Sequence, residues 1–283
     1  TGRGIPIEGE TDGTKNYELL FDTLFAGTNY DNMDFDKIAV GTNGVGITVL
    51  NYTSELFKVF SYRNGKKYSI EYNNGGQVTD EGLTAVDSEN PKLHGSTFIF
   101  RLDPEIYTNT KYKPEDIRDI VRRTAATANK IKFKFRYDGE VTEFHYEDLE
   151  DYFEEVTHNL TSKPVLGPES VDRRDSEINK IRILFSTSSD PIQESYLNIN
   201  WLPENGTIHD GVIWGVRNFV NNYAKEKSLI NKKTNITPTD VEDSISYVAS
   251  VLSNNVEYAN QTKLSTNKRL YRTIVADYVK SLL

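Results

Sequence analysis

Residues 41–46 run Gly-Thr-Asn-Gly-Val-Gly, and the apolar stretch Ile47 to Leu50 follows directly. Glycines at this spacing constrain the fold more than any other stretch of the chain. They let the backbone approach a ligand closely and leave main-chain N–H groups aimed at phosphate oxygens. The pattern predicts a phosphate cradle opening a short helix over 47–52. A Gly-rich turn capping an ordinary helix has the same pattern, so the motif alone leaves both readings open.

The flanks define what surrounds it. Leu19, Leu20, Phe21, Leu24 and Phe25 form a helical stripe within 14–26, closed by Ala26-Gly27 as a C-cap. The polar, acidic stretch 28–36 then leads into the glycines as a loop that could fold over whatever they bind. After the motif, 56–62 and 67–72 flank Asn64-Gly65, a hairpin signal, and Asn74-Gly75-Gly76 marks another turn. His94-Gly95-Ser96 precedes a buried-looking strand over 97–102. Pro114 opens a helix to about 129, strands 131–137 and 141–145 pair across Asp138-Gly139, and 146–156 is a short acidic helix.

The segment 161–175, with Pro164, Pro168 and clustered charges, is the candidate linker. Beyond it the grammar restarts: strands 180–185 and 194–201, a long amphipathic helix 210–227, a strand 247–252, a loop carrying Gln261-Thr262-Lys263, and a closing helix 268–283. Two α+β domains are expected, one on either side of this linker.

Composition narrows the classes. With 283 residues, 37% hydrophobic and 27% charged, the chain is long enough for one large globular domain or two ordinary ones. No apolar run approaches the roughly 18 residues of a spanning helix, so no membrane partner is expected and a cytoplasmic location is the default. There is no cysteine, and the four histidines are scattered, which excludes disulfides and thiolate metal sites. The net charge of −9 argues against a general nucleic-acid-coating surface. Residues 201–283 nevertheless carry ten Lys/Arg against eight Asp/Glu, so the C-terminal part is the one expected to face polyanions.

Several short motifs occur in one order: Gly-Arg-Gly-Ile-Pro at 2–6, a helix ending Ala26-Gly27, a polar lid, Gly-x-x-Gly-Val-Gly at 41–46, Gly-Ser at 95–96 and Gln-Thr-Lys at 261–263. This order resembles the ATPase subunit of type II DNA topoisomerases: gyrase B, topoisomerase IV and the phage or eukaryotic type II enzymes. The resemblance spans nearly the whole chain. It implies a GHKL (Bergerat) ATP-binding sandwich over 1–165, followed by a ribosomal-S5-domain-2-like transducer over 166–283.

Position by position, the resemblance implies that Gly2 and Gly4 form the loop admitting adenine, with Ile5 and Pro6 as its wall. It implies that Gly41, Thr42, Asn43, Gly44, Val45 and Gly46 wrap the triphosphate, and that Ser96 stands where the family has a threonine hydroxyl near adenine. Gln261 and Lys263 match the transducer residues that reach the γ-phosphate. The implied ligands are ATP and Mg2+. The implied partners are double-stranded DNA, a second copy through the ATPase region, and a cleavage-core subunit or domain, since no Toprim domain is recognisable here.

The departures carry expectations of their own. The family's general-base Glu, magnesium-holding Asn and adenine-reading Asp all fall upstream of Gly2, so the chain is expected to be an N-terminally truncated region, incomplete for hydrolysis alone. A lid lysine of bacterial members is Asn29 here, with Lys37 a weak substitute. The family's Gly-Gly-Thr-His appears as Asn205-Gly206-Thr207-Ile208, with His209 one place late and expected to be a capping or surface residue. Alternatives are a catalytically inactive nucleotide-binding or interaction module, and another GHKL ATPase of mismatch-repair or chaperone type. The latter share the first-domain motifs but lack Gln-Thr-Lys in this setting.

Overall fold

The computed structural model describes residues 2–26, 44–128 and 131–283. The expectations placed on Gly27, on the 28–36 loop with Asn29, on Lys37 and on Gly41, Thr42 and Asn43 lie outside the described residues. Those described form two compact units, one over 2–26 and 44–112 and the other over 113–128 and 131–283. The division by packing follows Tyr112, because the helix and hairpin after it pack with the second sheet.

The first unit starts with a small hairpin, β1 (Glu10–Thr11) and β2 (Thr14–Lys15), leading into α1 (Asn16–Phe21). The glycine motif opens α2 (Gly46–Tyr52), followed by β3 (Ser54–Arg63), β4 (Lys66–Asn73), β5 (Gln77–Val78), β6 (Thr84–Asp87) and β7 (Gly95–Leu102). The sheet order is β5-β4-β3-β7, with β6 also on β4, and every pairing is antiparallel. The turn between β3 and β4 is the one predicted: Asn64 and Gly65 both take positive φ, 53° and 73°, as a tight hairpin matching strand twist demands.

Phe57, Val59, Ile70 and Tyr72 line one sheet face and pack with Ile7, Tyr17 and Phe21 into a single core. Phe21 sits edge-on to Phe57 at 5.6 Å and to Tyr72 at 6.1 Å, the geometry ring quadrupoles favour. Two expectations are corrected here. The helical stripe is expected to run through Phe25, yet α1 stops at Phe21: Phe25 takes φ +62° and its N–H, which would reach the Phe21 carbonyl in a continued helix, bonds Gly44 O instead, while side chains of α2 meet the carbonyls left open. Asn51 donates to Phe21 O at 3.2 Å and Thr48 to Thr23 O at 3.3 Å. Leu24 and Phe25 are therefore exposed. The strand over 97–102 is not buried either: β7 is an edge of the described sheet, and Phe98, Ile99 and Phe100 are 38–45% exposed.

The second unit begins with α3 (Pro114–Thr127), the hairpin β8 (Phe133–Tyr137) and β9 (Glu140–Phe144), and α4 (Leu149–Val156). Pro114 suits the first turn, where its missing N–H costs nothing, and Asp148 caps α4 by accepting from Glu150 and Asp151 N–H. Then come β10 (Val165–Leu166), β11 (Ser170–Asp172), β12 (Asn179–Thr187), β13 (Gln193–Leu197) and β14 (Asn200–Trp201). The chain closes with α5 (Thr207–Glu226), α6 (Pro238–Glu242), β15 (Ile245–Ser253) and α7 (Arg269–Leu282).

The sheet order is β10-β12-β15-β13-β14, with β11 also on β12. β13 and β15 pair in parallel, as the intervening helix α5 requires. Alternation along β12 assigns its two faces. Ile181, Ile183 and Phe185 enter the core formed with α5 and α7, whereas Leu184 joins Tyr152, Phe153 and Tyr196 on the α4 side. Gly211 and Gly215 let α5 and α7 approach, since a Cβ at Gly211 would lie 2.8 Å from both Arg272 O and Val275 Cβ. Two further expectations change. The supposed linker contributes β10 and β11 to this sheet. The single strand expected over 194–201 breaks at Asn198, whose φ of 55° turns β13 into β14.

Candidate nucleotide site

Gly4 adopts φ +78°, and a Cβ there would lie 2.6 Å from Tyr62 O and 3.2 Å from Gly95 O. Only glycine lets residues 2–6 lie against the ends of β3 and β7. Ile5 is then held from both sides by two serines that face each other across the β3–β7 pair. Its N–H donates to Ser96 Oγ at 2.9 Å, and its carbonyl accepts from Ser61 Oγ at 2.6 Å. The His94 ring lies 2.8 Å from Gly2 O through Nδ1. The 2–6 segment and Ser96 thus come together. Sequence reasoning misses Ser61, because a serine within an alternating strand carries no local sign that its hydroxyl serves a loop 56 residues away.

At the head of α2, Gly44 has φ +58° and its carbonyl accepts from Phe25 N–H at 3.2 Å. Val45 is the N-cap residue and offers no side-chain hydrogen bond, and the space where a Cβ of Gly46 would sit is open. The Val45 side chain does not cap the first N–H groups of α2, and a helix start is where an anion is favoured. The helix is held from its other end by Asn51, fully buried, which donates to Phe21 O and, at 3.1 Å, to Asp22 Oδ1. Burial pushes the Asp22 carboxyl up to about 6, against the hydrogen bonds from Tyr72 and Asn51 that favour its charge.

Gln261 and Lys263 belong to the second unit, in the loop joining β15 to α7. That loop is tied down along its length. Tyr258 OH accepts from Asn200 Nδ2 at 2.6 Å and donates to Leu197 O at 3.1 Å. Glu204 N–H reaches Leu264 O, Thr207 N–H reaches Thr266 O, and Lys268 Nζ meets both Glu177 oxygens and Asn255 O at 2.7 Å. Lys263 takes φ +59° and sets its Nζ 5.4 Å from the Tyr258 ring centroid. Its partial burial lowers the pKa of the ammonium.

His209 is a correction. It is buried, 7% exposed, with Nδ1 2.7 Å from Tyr247 OH and Nε2 3.3 Å from Glu242 Oε1, so it braces α5 against β15 and α6. Among the described residues no group of three or more His, Asp or Glu could hold a metal ion, and no helix is long and apolar enough to cross a membrane.

A family model described as DNA gyrase B matches residues 148–283. The B subunit of Haemophilus influenzae DNA topoisomerase 4 is 26% identical over 286 residues, covering 99% of this chain and 44% of the relative. The B subunit of Archaeoglobus fulgidus DNA gyrase is 28% identical, with coverages of 99% and 44%. The chain spans less than half the length of these relatives. Its fold is similar to that of the topoisomerase IV ATP-binding domain of Francisella tularensis, solved with a small-molecule inhibitor (TM-score 0.73, 24% identity, 99% of this chain and 74% of that one). It is also similar to the ATPase region of Saccharomyces cerevisiae topoisomerase II (TM-score 0.70, 17% identity, 99% and 72%).

Proposed function

We propose that this chain, whose resemblance is to the ATPase region of type II DNA topoisomerases, binds and hydrolyses ATP as part of a dimeric clamp that drives DNA strand passage. The observation that carries the proposal is the cradle at Gly4, which a single Cβ would fill, with Ile5 clamped between Ser61 and Ser96. In this reading 1–165 is the GHKL sandwich and 166–283 the transducer.

Each residue then has a task. Gly2 and Gly4 form the loop that admits adenine and Ile5 and Pro6 its wall, and Ser96, whose oxygen already accepts from Ile5, keeps its hydroxyl hydrogen for the base or a bridging water. The residues at 41–46 and the start of α2 receive phosphate oxygens. Lys263, with Gln261 beside it, stabilises the charge that develops as the γ-phosphoryl group leaves and passes that event to the transducer. A partly desolvated ammonium suits this task, since a low local dielectric strengthens its pull on phosphate. The described residues supply no group of three or more His, Asp or Glu fit to hold a magnesium ion. Double-stranded DNA, a second copy and a cleavage-core partner complete the proposed assembly.

The test is DNA-stimulated ATP hydrolysis by the natural full-length protein and its Lys263→Ala variant. A loss of turnover of about a hundredfold or more, with nucleotide binding largely kept, supports the coupled clamp. A protein that binds ATP and never turns it over, or a variant that behaves as wild type, points to a nucleotide-binding module instead.

A further inference from the structure

Glu194 on β13 is 5% exposed and accepts three hydrogen bonds: from Arg123 Nε at 3.1 Å, Tyr152 OH at 2.7 Å and Tyr196 OH at 2.6 Å. Burial and the neighbouring carboxylate push both phenols above their usual range, so both serve as neutral donors. A carboxylate this enclosed holds its partners firmly, because releasing one leaves charge uncompensated in a poor solvent. Its effect on Arg123 is directional. The guanidinium carbon lies 3.9 Å from the centroid of the Trp201 ring, a close cation–π stack.

From Trp201 the contacts continue to the loop that carries Lys263. Its strand neighbour Asn200 donates to Tyr258 OH, and the Tyr258 ring faces Lys263 Nζ. Ile120 and Arg123 of α3, Trp201, Lys263 and Leu264 also line one cavity of about 300 Å3. Every residue in this chain of contacts belongs to the second unit. From this continuity we infer that Glu194 is a positioning residue: it holds Arg123 on Trp201, and through Asn200 and Tyr258 it sets the loop from which Lys263 acts. The inference rests on the reading of Lys263 as the γ-phosphate contact, and goes beyond it by naming what holds the lysine in place.

The test separates the two. Amide hydrogen exchange on the 283-residue chain compares wild type with Glu194→Gln, which keeps the side chain's shape and removes its charge. Exchange across 258–266 rises about fivefold or more, while α5 is unchanged. In the full-length protein the same variant lowers kcat about tenfold and leaves KM within about twofold, a split that simple destabilisation does not give. Should Glu194→Gln fail to fold, Arg123→Lys is measured in the same way, since it keeps the charge and loses the planar stack on Trp201. Exchange that changes only around 123, 152 and 194 overturns the inference, as does an unchanged kcat in a protein that hydrolyses ATP. A wild-type protein that never turns over ATP instead overturns the functional reading, and exchange alone then decides whether Glu194 sets the loop.

Discussion

The Ile5 amide donates to the Ser96 hydroxyl oxygen at 2.9 Å, joining residues 91 positions apart in the chain and fastening the 2–6 loop to the start of β7. Ser61 completes the grip from the other side. Ser96→Ala leaves the Ile5 N–H without this acceptor, at a cost of about 1 kcal/mol to the loop's order. Binding of a non-hydrolysable ATP analogue, followed by titration calorimetry, weakens about fivefold, and Ser96→Thr restores it. Equal affinity in wild type and the alanine variant would remove Ser96 from the site.

Asp22 gives the fold a pH dependence of known sign. Its folded pKa, about 6, lies above the ordinary 3.8, so the folded chain binds its proton more tightly than the unfolded chain. Stability from this group is complete below the unfolded value, is lost as pH rises through about 4 to 6, and stays lost above. Asn removes the charge and keeps one acceptor oxygen, for Asn51 Nδ2, while its amide N–H can donate to the Tyr72 hydroxyl oxygen. Because the site is partly exposed, the gain from Asp22→Asn is discounted to about 1 kcal/mol at pH 7.5, vanishing near pH 3.5. Urea unfolding at the two pH values reads the difference; a gain of the same size at both pH values contradicts the assignment.

Helix α5 approaches α7 at two glycines. An alanine Cβ at Gly211 would meet Arg272 O and Val275 Cβ at 2.8 Å, and one at Gly215 would meet Val279 Cβ at 2.9 Å. The usual helical gain from Gly to Ala, about 1 kcal/mol, is outweighed by forcing the helices apart. Gly211→Ala lowers stability by about 1–2 kcal/mol in denaturant unfolding. A variant more stable than wild type would show that the helices can separate at little cost.

Lys268 and Glu177 differ from the surface ion pairs. Both are only 12% exposed, and the ammonium also meets Asn255 O. Glu177→Gln leaves that ammonium underpaired and costs about 2–3 kcal/mol. Glu169→Gln, in a pair 3.5 Å apart and 37% and 52% exposed, stays within about 0.5 kcal/mol. Thermal melts of the two variants side by side decide whether burial sets the difference; equal shifts would count against it.

Much of the fold is legible in local sequence. Asn64-Gly65 and Asp138-Gly139 mark hairpins because both positions of each turn need positive φ, and both take it. Pro114 begins a helix, and the apolar rows of α5 and α7 meet in one core. The errors share one cause. A strand's alternation does not say whether it lies at the edge or the centre, so β7 reads as buried. A helical stripe does not say whether a neighbour will take its last carbonyls, so α1 reads as longer than it is. The segment 161–175 has the composition of a linker, yet β12 offers it a strand to pair with.

By itself the sequence determined the alternation of helices and strands, the positive-φ turns, and the glycines whose spacing suits close backbone approach. These follow from steric limits on single residues and from hydrophobic period, which need no distant partner. Only the tertiary structure decided that Ser61 and Ser96 clamp Ile5, that His209 is buried, and that Glu194 reaches Arg123 across 71 residues. Those contacts depend on strand register and on which helix face docks. Many distant side chains set these together, and no local window of sequence contains them.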